Sequence, residues 1–129
     1  MISRKAAPSP NCVLIVDRSE DSREVLQTAL ERRGLRTLTT NSAQAGLQLA
    51  RSHRPQVIVL DTEGQQVDEA CVRDQYDSEV RTNNSSLVIL STARRQTRTD
   101  PPSRFVAKPY HYAPLIRTIE QLLKQSCLT

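Results

Sequence analysis

The sequence predicts one α/β domain, a five-stranded parallel sheet with helices on both faces. Three observations carry this. Cys12-Val13-Leu14-Ile15-Val16 and Val57-Ile58-Val59-Leu60 are apolar at every position, as strands covered on both faces are, and each runs into a carboxylate, Asp17 or Asp61. Leu87-Val88-Ile89-Leu90 is a third such run. Segments of helical period separate the runs, and strands alternating with helices imply right-handed crossovers and a parallel sheet. A chain of 129 residues is long enough to bury roughly two thirds of its unfolded surface in one core.

Composition narrows the class. With one Phe, three Tyr and no Trp, the core must be aliphatic. A net charge of +4, from 18 basic and 14 acidic residues, is too mild to indicate nucleic acid without a patch. Cys12, Cys71 and Cys127 lie far apart, with neither metal-ligand spacing nor a disulfide framework, which favours a reducing compartment. Cys12 reads as a small core residue. Met1 to Lys5 is basic but leads into no apolar stretch of a signal peptide, and no run approaches the roughly 20 apolar residues of a membrane span. The expected location is cytoplasmic.

The elements follow in order. Residues 1–11, with Pro8 and Pro10, read as a flexible arm before a domain spanning 12–125, and 126–129 read as a tail. The first helix follows Arg18, with Ser19 as its cap, Ser22, Val25, Leu26, Ala29, Leu30 and Arg33 recurring at helical spacing, and Gly34 at the left-handed C-terminal position. Leu35 to Thr40 mixes apolar and Thr positions, as an edge strand with one wetter face would. Asn41 is placed as the cap of a helix from 42 to about 52, bearing Ala43, Leu47 and Ala50, which Pro55 stops. Pro55 before the central run and Gly64 after it leave little room for a buried helix there, so residues 57–60 read as a strand.

A thin stripe of Val67, Ala70, Cys71 and Val80 marks a helix from about Val67 to Arg81, and Asn83 to Ser86 reads as a turn. Between the fourth strand and the fifth, Arg104 to Ala107, the segment Arg94 to Pro102 has no apolar residue with which a helix could dock. The fourth helix is therefore expected to be short or missing. Pro114 opens the last helix, whose stripe is Leu115, Ile116, Ile119, Leu122 and Leu123.

In a parallel sheet, chemistry sits beyond the carboxyl ends of the strands. Asp17, Asp61 and Thr92 occupy three such ends, and Lys108 follows the fifth. This set suits phosphoryl transfer to a carboxylate. Asp61 would be the nucleophile, forming an aspartyl phosphate. Asp17 would help hold a hard divalent cation that neutralises phosphoryl oxygens. Lys108 would pair with carboxylate or phosphate as a point charge, and the Thr92 hydroxyl would hydrogen-bond the arriving group. Alone, each residue is more readily a cap, a loop residue or a strand end. The order and spacing of the set make it informative.

On Val13-Leu14-Ile15-Val16-Asp17, Val57-Ile58-Val59-Leu60-Asp61, Leu90-Ser91-Thr92-Ala93 and Phe105-Val106-Ala107-Lys108-Pro109-Tyr110, the chain resembles the response-regulator receiver domain of two-component signalling, a CheY-like domain. The resemblance covers about residues 12–125. It implies the flavodoxin-like three-layer sandwich with strand order 2-1-3-4-5. It also implies Asp61 as phosphoacceptor, Thr92 as switch hydroxyl, Lys108 as the phosphate-pairing lysine and Phe105 as the switch aromatic, with Asp68 matching an acid of the loop after the acceptor. The chain departs from the pattern at Arg18, where the family has a second metal-binding acid, and this weakens the expected Mg²⁺ site formed by Asp17 and Asp61. Glu20 and Asp21 sit on the incoming helix. Glu63 falls where a backbone carbonyl joins the metal shell, and its side chain offers partial compensation. Gly64-Gln65-Gln66 replaces the usual loop.

Two functions follow from the resemblance. The first is a stand-alone phosphorelay receiver that takes a phosphoryl group from a histidine kinase or phosphotransfer protein and switches binding of a downstream protein. It would not be an enzyme beyond self-catalysed phosphotransfer and dephosphorylation. The second is a pseudo-receiver that binds partners without phosphate because Arg18 replaces the acid. Nucleic-acid binding through Arg94, Arg95 and Arg98 lacks an aromatic platform. Three glycines leave no phosphate-binding Gly-rich loop for a nucleotide enzyme.

Overall fold

The computed structural model describes residues 9–63, 69–91, 103–108 and 110–127. The elements are β1 (Ser9–Val16), α1 (Glu20–Glu31), β2 (Arg36–Thr40), α2 (Ala43–His53), β3 (Pro55–Asp61), α3 (Glu69–Asn83), β4 (Ser86–Ser91), β5 (Ser103–Ala107) and α4 (Tyr112–Cys127). The five strands form one parallel sheet in the order β2-β1-β3-β4-β5. Residues 92–102, where the short or missing helix was expected, lie outside the described residues.

Successive side chains of a strand face opposite sides of a sheet, and here each side has its own core. Val13, Ile15, Val57, Val59, Val88 and Leu90 meet Leu26 and Leu30 of α1 and Leu115, Ile116, Ile119, Leu122 and Leu123 of α4. Leu14, Val16, Ile58, Leu60, Leu87 and Ile89 meet Ala43, Leu47 and Ala50 of α2 and Val72, Tyr76 and Val80 of α3. Two covered faces explain why the runs are continuously apolar. Edge strand β2, in contrast, stays only partly buried from Thr37 to Thr40.

Several local expectations are corrected. β1 begins at Ser9, inside the stretch read as an arm, with Asn11 in a left-handed conformation (φ 57°) where the register to β3 shifts between Ser9 and Val13. The Asn11 N–H donates to Gln56 Oε1 at 2.6 Å, which ties this bulge to β3. The cap of α2 is Ser42, whose hydroxyl accepts from the Ala45 N–H, and not Asn41. Val25 is 48% exposed and leaves the α1 face to Leu26 and Leu30. The buried stripe of α3 is Val72, Tyr76 and Val80, while Ala70 and Cys71 are exposed. Val67 lies outside the described residues.

Helix α3 runs through Asn83, so the expected turn shrinks to Asn84, at φ 60°, with the Ser85 N–H bonded back to the Val80 carbonyl. Ser19 does cap α1, accepting from the Ser22 N–H; the C-cap is Arg32, and Gly34 takes the left-handed conformation (φ 84°) in the turn that follows. Helix α4 carries the expected stripe and continues to Cys127, into the stretch read as a tail.

Candidate functional site

The carboxyl ends of β1 and β3 are adjacent strand ends, and they bring Asp17 and Asp61 into one rim. Both are buried, at 5% and 4% exposure. Asp61 closes β3, and its Oδ1 accepts the Glu63 N–H at 2.9 Å, the turn of a short carboxylate onto the backbone two residues ahead. Lys108 follows β5, and its own N–H bonds the Ser91 carbonyl at 3.0 Å, fixing the lysine beside the end of β4. From there its Nζ donates to Asp61 Oδ2 at 2.7 Å and to Glu63 Oε1 at 3.4 Å.

The turn after β1 is held by several bonds. Asp17 Oδ1 accepts the Ser19 N–H at 2.8 Å, and the Asp17 carbonyl accepts from the Arg23 guanidinium at 2.9 Å. The Arg23 N–H in turn bonds the Ser19 carbonyl. Arg18 is exposed. The guanidinium hydrogen-bonded at Asp17 belongs to Arg23, one helical turn past the cap.

The charges respond to this packing. Burial pushes the Asp17 carboxyl above its ordinary value, and the Asp61 charge adds to the rise. The Ser19 N–H, Lys108 and Arg23 oppose it. Burial alone would lower the Lys108 ammonium, but its bonds to Asp61 and Glu63 and their charges outweigh this and raise it. Tyr110 is raised by burial first, then by Tyr112 and the charges of Asp17 and Asp61. Its ring meets that of Tyr112 edge-on, with centroids 5.4 Å apart.

The site therefore unites Asp17, Asp61, Glu63 and Lys108 as the sequence suggests. It adds Arg23, whose only sequence signal is its place one turn after Ser19, and Tyr110, which the sequence offers only as the end of the Phe105 to Tyr110 stretch. Thr92 and Asp68 lie outside the described residues. Phe105 pairs with Ile89 in the sheet. Among the described residues no three His, Cys, Asp or Glu side chains gather as a metal site. Magnesium, however, commonly binds through one or two carboxylates together with phosphate oxygens and water, and the Asp17–Asp61 pair fits that donor set.

Comparison with known proteins places this geometry. No protein-family model and no curated protein matches the chain. Solved structures do. The receiver domain of the Francisella response regulator 1452 is 21% identical, over 92% of this chain and 99% of that one, with a TM-score of 0.77. The chain has the receiver-domain, CheY-like fold. A response regulator receiver protein from Sinorhizobium medicae WSM419 has 20% identity, 95% and 98% coverage and a TM-score of 0.73. For the Vibrio cholerae chemotaxis protein CheY4 the values are 20%, 88%, 99% and 0.65. Within the receiver fold, the rim that carries Asp61 is the carboxyl end of the parallel sheet. No described helix is long and apolar enough to cross a membrane.

Proposed function

We propose that this receiver domain accepts a phosphoryl group on Asp61 and thereby switches its affinity for a partner protein. The observation that carries the reading is the 2.7 Å contact between Lys108 Nζ and Asp61 Oδ2 at the carboxyl edge of the sheet. An aspartyl carboxylate is a competent phosphoryl acceptor, and an ammonium already bonded to it neutralises charge as the transfer proceeds. The donor is a phosphoimidazole, as on a histidine kinase or phosphotransfer protein. One Asp61 oxygen attacks phosphorus as the P–N bond breaks, and the departing imidazole nitrogen takes a proton from solvent water. Lys108 then pairs with the phosphoryl oxygens. Magnesium, held by Asp17 and Asp61, would neutralise the remaining phosphoryl charge. The Ser19 N–H and Arg23 orient Asp17 for that role.

Incubation with phosphoramidate or acetyl phosphate, with and without Mg²⁺, followed by intact-mass measurement, tests this. One phosphoryl mass should appear in the native chain and vanish in Asp61→Asn. A second reading rests on Arg18, a cation directly after Asp17 where an acid would complete the metal shell. An adduct-free chain under every metal condition would make the domain a pseudo-receiver, a protein-binding module independent of phosphate.

A further inference from the structure

At the end of the sheet opposite Asp61 lies a groove of about 670 Å³. Leu35, just before β2, and Leu123 of α4 supply its apolar floor, and Asn11 of the β1 bulge closes one side. Along the other side, α4 presents Arg117, Glu120 and Lys124. Strands in a parallel sheet start at one edge and finish at the other. Asn11 and Asp17 are therefore separated by nearly the whole of β1, ~20 Å at about 3.3 Å per residue. A ligand here and a phosphoryl donor at Asp61 would occupy different ends of the molecule.

Charge decides what the groove suits. Glu120 is engaged by Arg33, in the turn after α1, at 3.2 Å, so the rim's remaining cations, the exposed Arg117 and Lys124, give it a positive balance. The chain's own first eight residues carry Arg4 and Lys5 and no acid. Like charge disfavours that segment as the occupant. An apolar floor of two leucines beneath a cationic rim suits a segment of opposite charge with an apolar anchor. The volume falls within the roughly 300–1,000 Å³ of ligand pockets.

We propose that this groove docks an acidic peptide segment of a partner protein, with a leucine-sized side chain seated on Leu35 and Leu123 and its carboxylates facing Arg117 and Lys124. The claim is independent of phosphorylation at Asp61.

Fluorescence anisotropy with a short labelled peptide of Glu and Leu tests it on the full chain. The same peptide with Lys for Glu serves as the control. Binding should be at least tenfold tighter for the acidic peptide. The double variant Arg117→Glu, Lys124→Glu should reverse that preference, and Arg117→Gln, Lys124→Gln should abolish it while leaving the thermal midpoint in place. Amide chemical shifts of Asn11, Leu35 and Gln121 should move on titration. Equal affinity for both peptides, shifts confined to other residues, or a preference unchanged in the charge variants would overturn the proposal. So would a self-associated chain that Lys124→Glu dissociates, since the occupant would then be a second copy. A DNA duplex that binds with the same dependence on Arg117 and Lys124 would overturn it as well.

Discussion

Lys108 bonds Asp61 and Glu63 at once, at 2.7 and 3.4 Å, so one ammonium is shared between a buried carboxylate and a partly exposed one. An ion pair in water contributes little, ~0–1 kcal/mol, whereas breaking a fully buried one costs ~3–5 kcal/mol. With Asp61 at 5% side-chain exposure and Lys108 at 25%, the site lies between these limits. Lys108→Met should destabilise the domain by about 2 kcal/mol in urea unfolding. Because the folded state raises the Lys108 pKa, the pair's contribution is complete below the ordinary lysine value of 10.5. It is lost as pH climbs through the folded value. From neutral pH upward, the difference between native chain and variant should therefore shrink only in strongly alkaline buffer.

Asp17 has the opposite effect on stability. Its folded pKa stands above the ordinary 3.8, chiefly through burial. Its ionised form therefore costs stability, and that cost is absent below the ordinary value and appears as pH rises through the folded one. Asp17→Asn keeps an oxygen for the Ser19 N–H and removes the charge. The variant should unfold at a higher urea midpoint than the native chain at neutral pH, and the two midpoints should converge as pH falls toward 3.8. A lower midpoint for Asp17→Asn at neutral pH would contradict the burial argument.

Replacing Arg18 with Asp would add an oxygen ligand and remove a cation beside Asp17. Magnesium should then bind about tenfold tighter by titration calorimetry, equivalent to ~1.4 kcal/mol, and small donors should phosphorylate Asp61 faster. Equal affinity in the two proteins would show that position 18 does not govern the metal.

Helices α2 and α3 meet where Tyr76 donates its hydroxyl to the Ala43 carbonyl at 2.6 Å. Gly46 makes this possible. A Cβ there would collide with the Tyr76 hydroxyl and lie 2.7 Å from Val16 Cγ2. Gly46→Ala should cost ~1–3 kcal/mol by overpacking, and Tyr76→Phe about 1 kcal/mol by removing its buried hydrogen bond to the Ala43 carbonyl. Combined, they should cost less than their sum, because the phenylalanine removes the atom that the alanine meets first. A double-mutant cycle by urea unfolding measures that coupling.

The central strands were legible because both their faces are covered, so hydropathy alone marks Cys12–Val16 and Val57–Leu60. The end residues of those runs then placed Asp17 and Asp61. Helix α3 was not legible in detail. Its central core residue is a tyrosine, which counts as apolar only once Ala43 has accepted its hydroxyl, and neighbouring Cys71 drew the stripe to the wrong side. Nor was Arg23 visible as part of the site. Its bond goes to a backbone carbonyl, which has no signature in the sequence. The cap of α2 was misplaced by one residue because Asn41 and Ser42 are both good caps, and only the backbone geometry at Ser42 selects between them.

The all-parallel sheet also constrains how the chain acquires its shape. Val13 pairs with Thr37 on one side and Val57 on the other, and neither partner is reachable through a hairpin. Every ladder closes a long loop, so contact order is high and folding is expected on the slower, millisecond-to-second scale of non-local topologies. During synthesis β1 emerges well before β3 and must wait, one hydrogen-bonding edge unpaired, until Val57 to Leu60 follow. Its faces are fully covered only when α3 and α4 arrive. A chaperone that binds extended aliphatic segments would meet this protein in that interval.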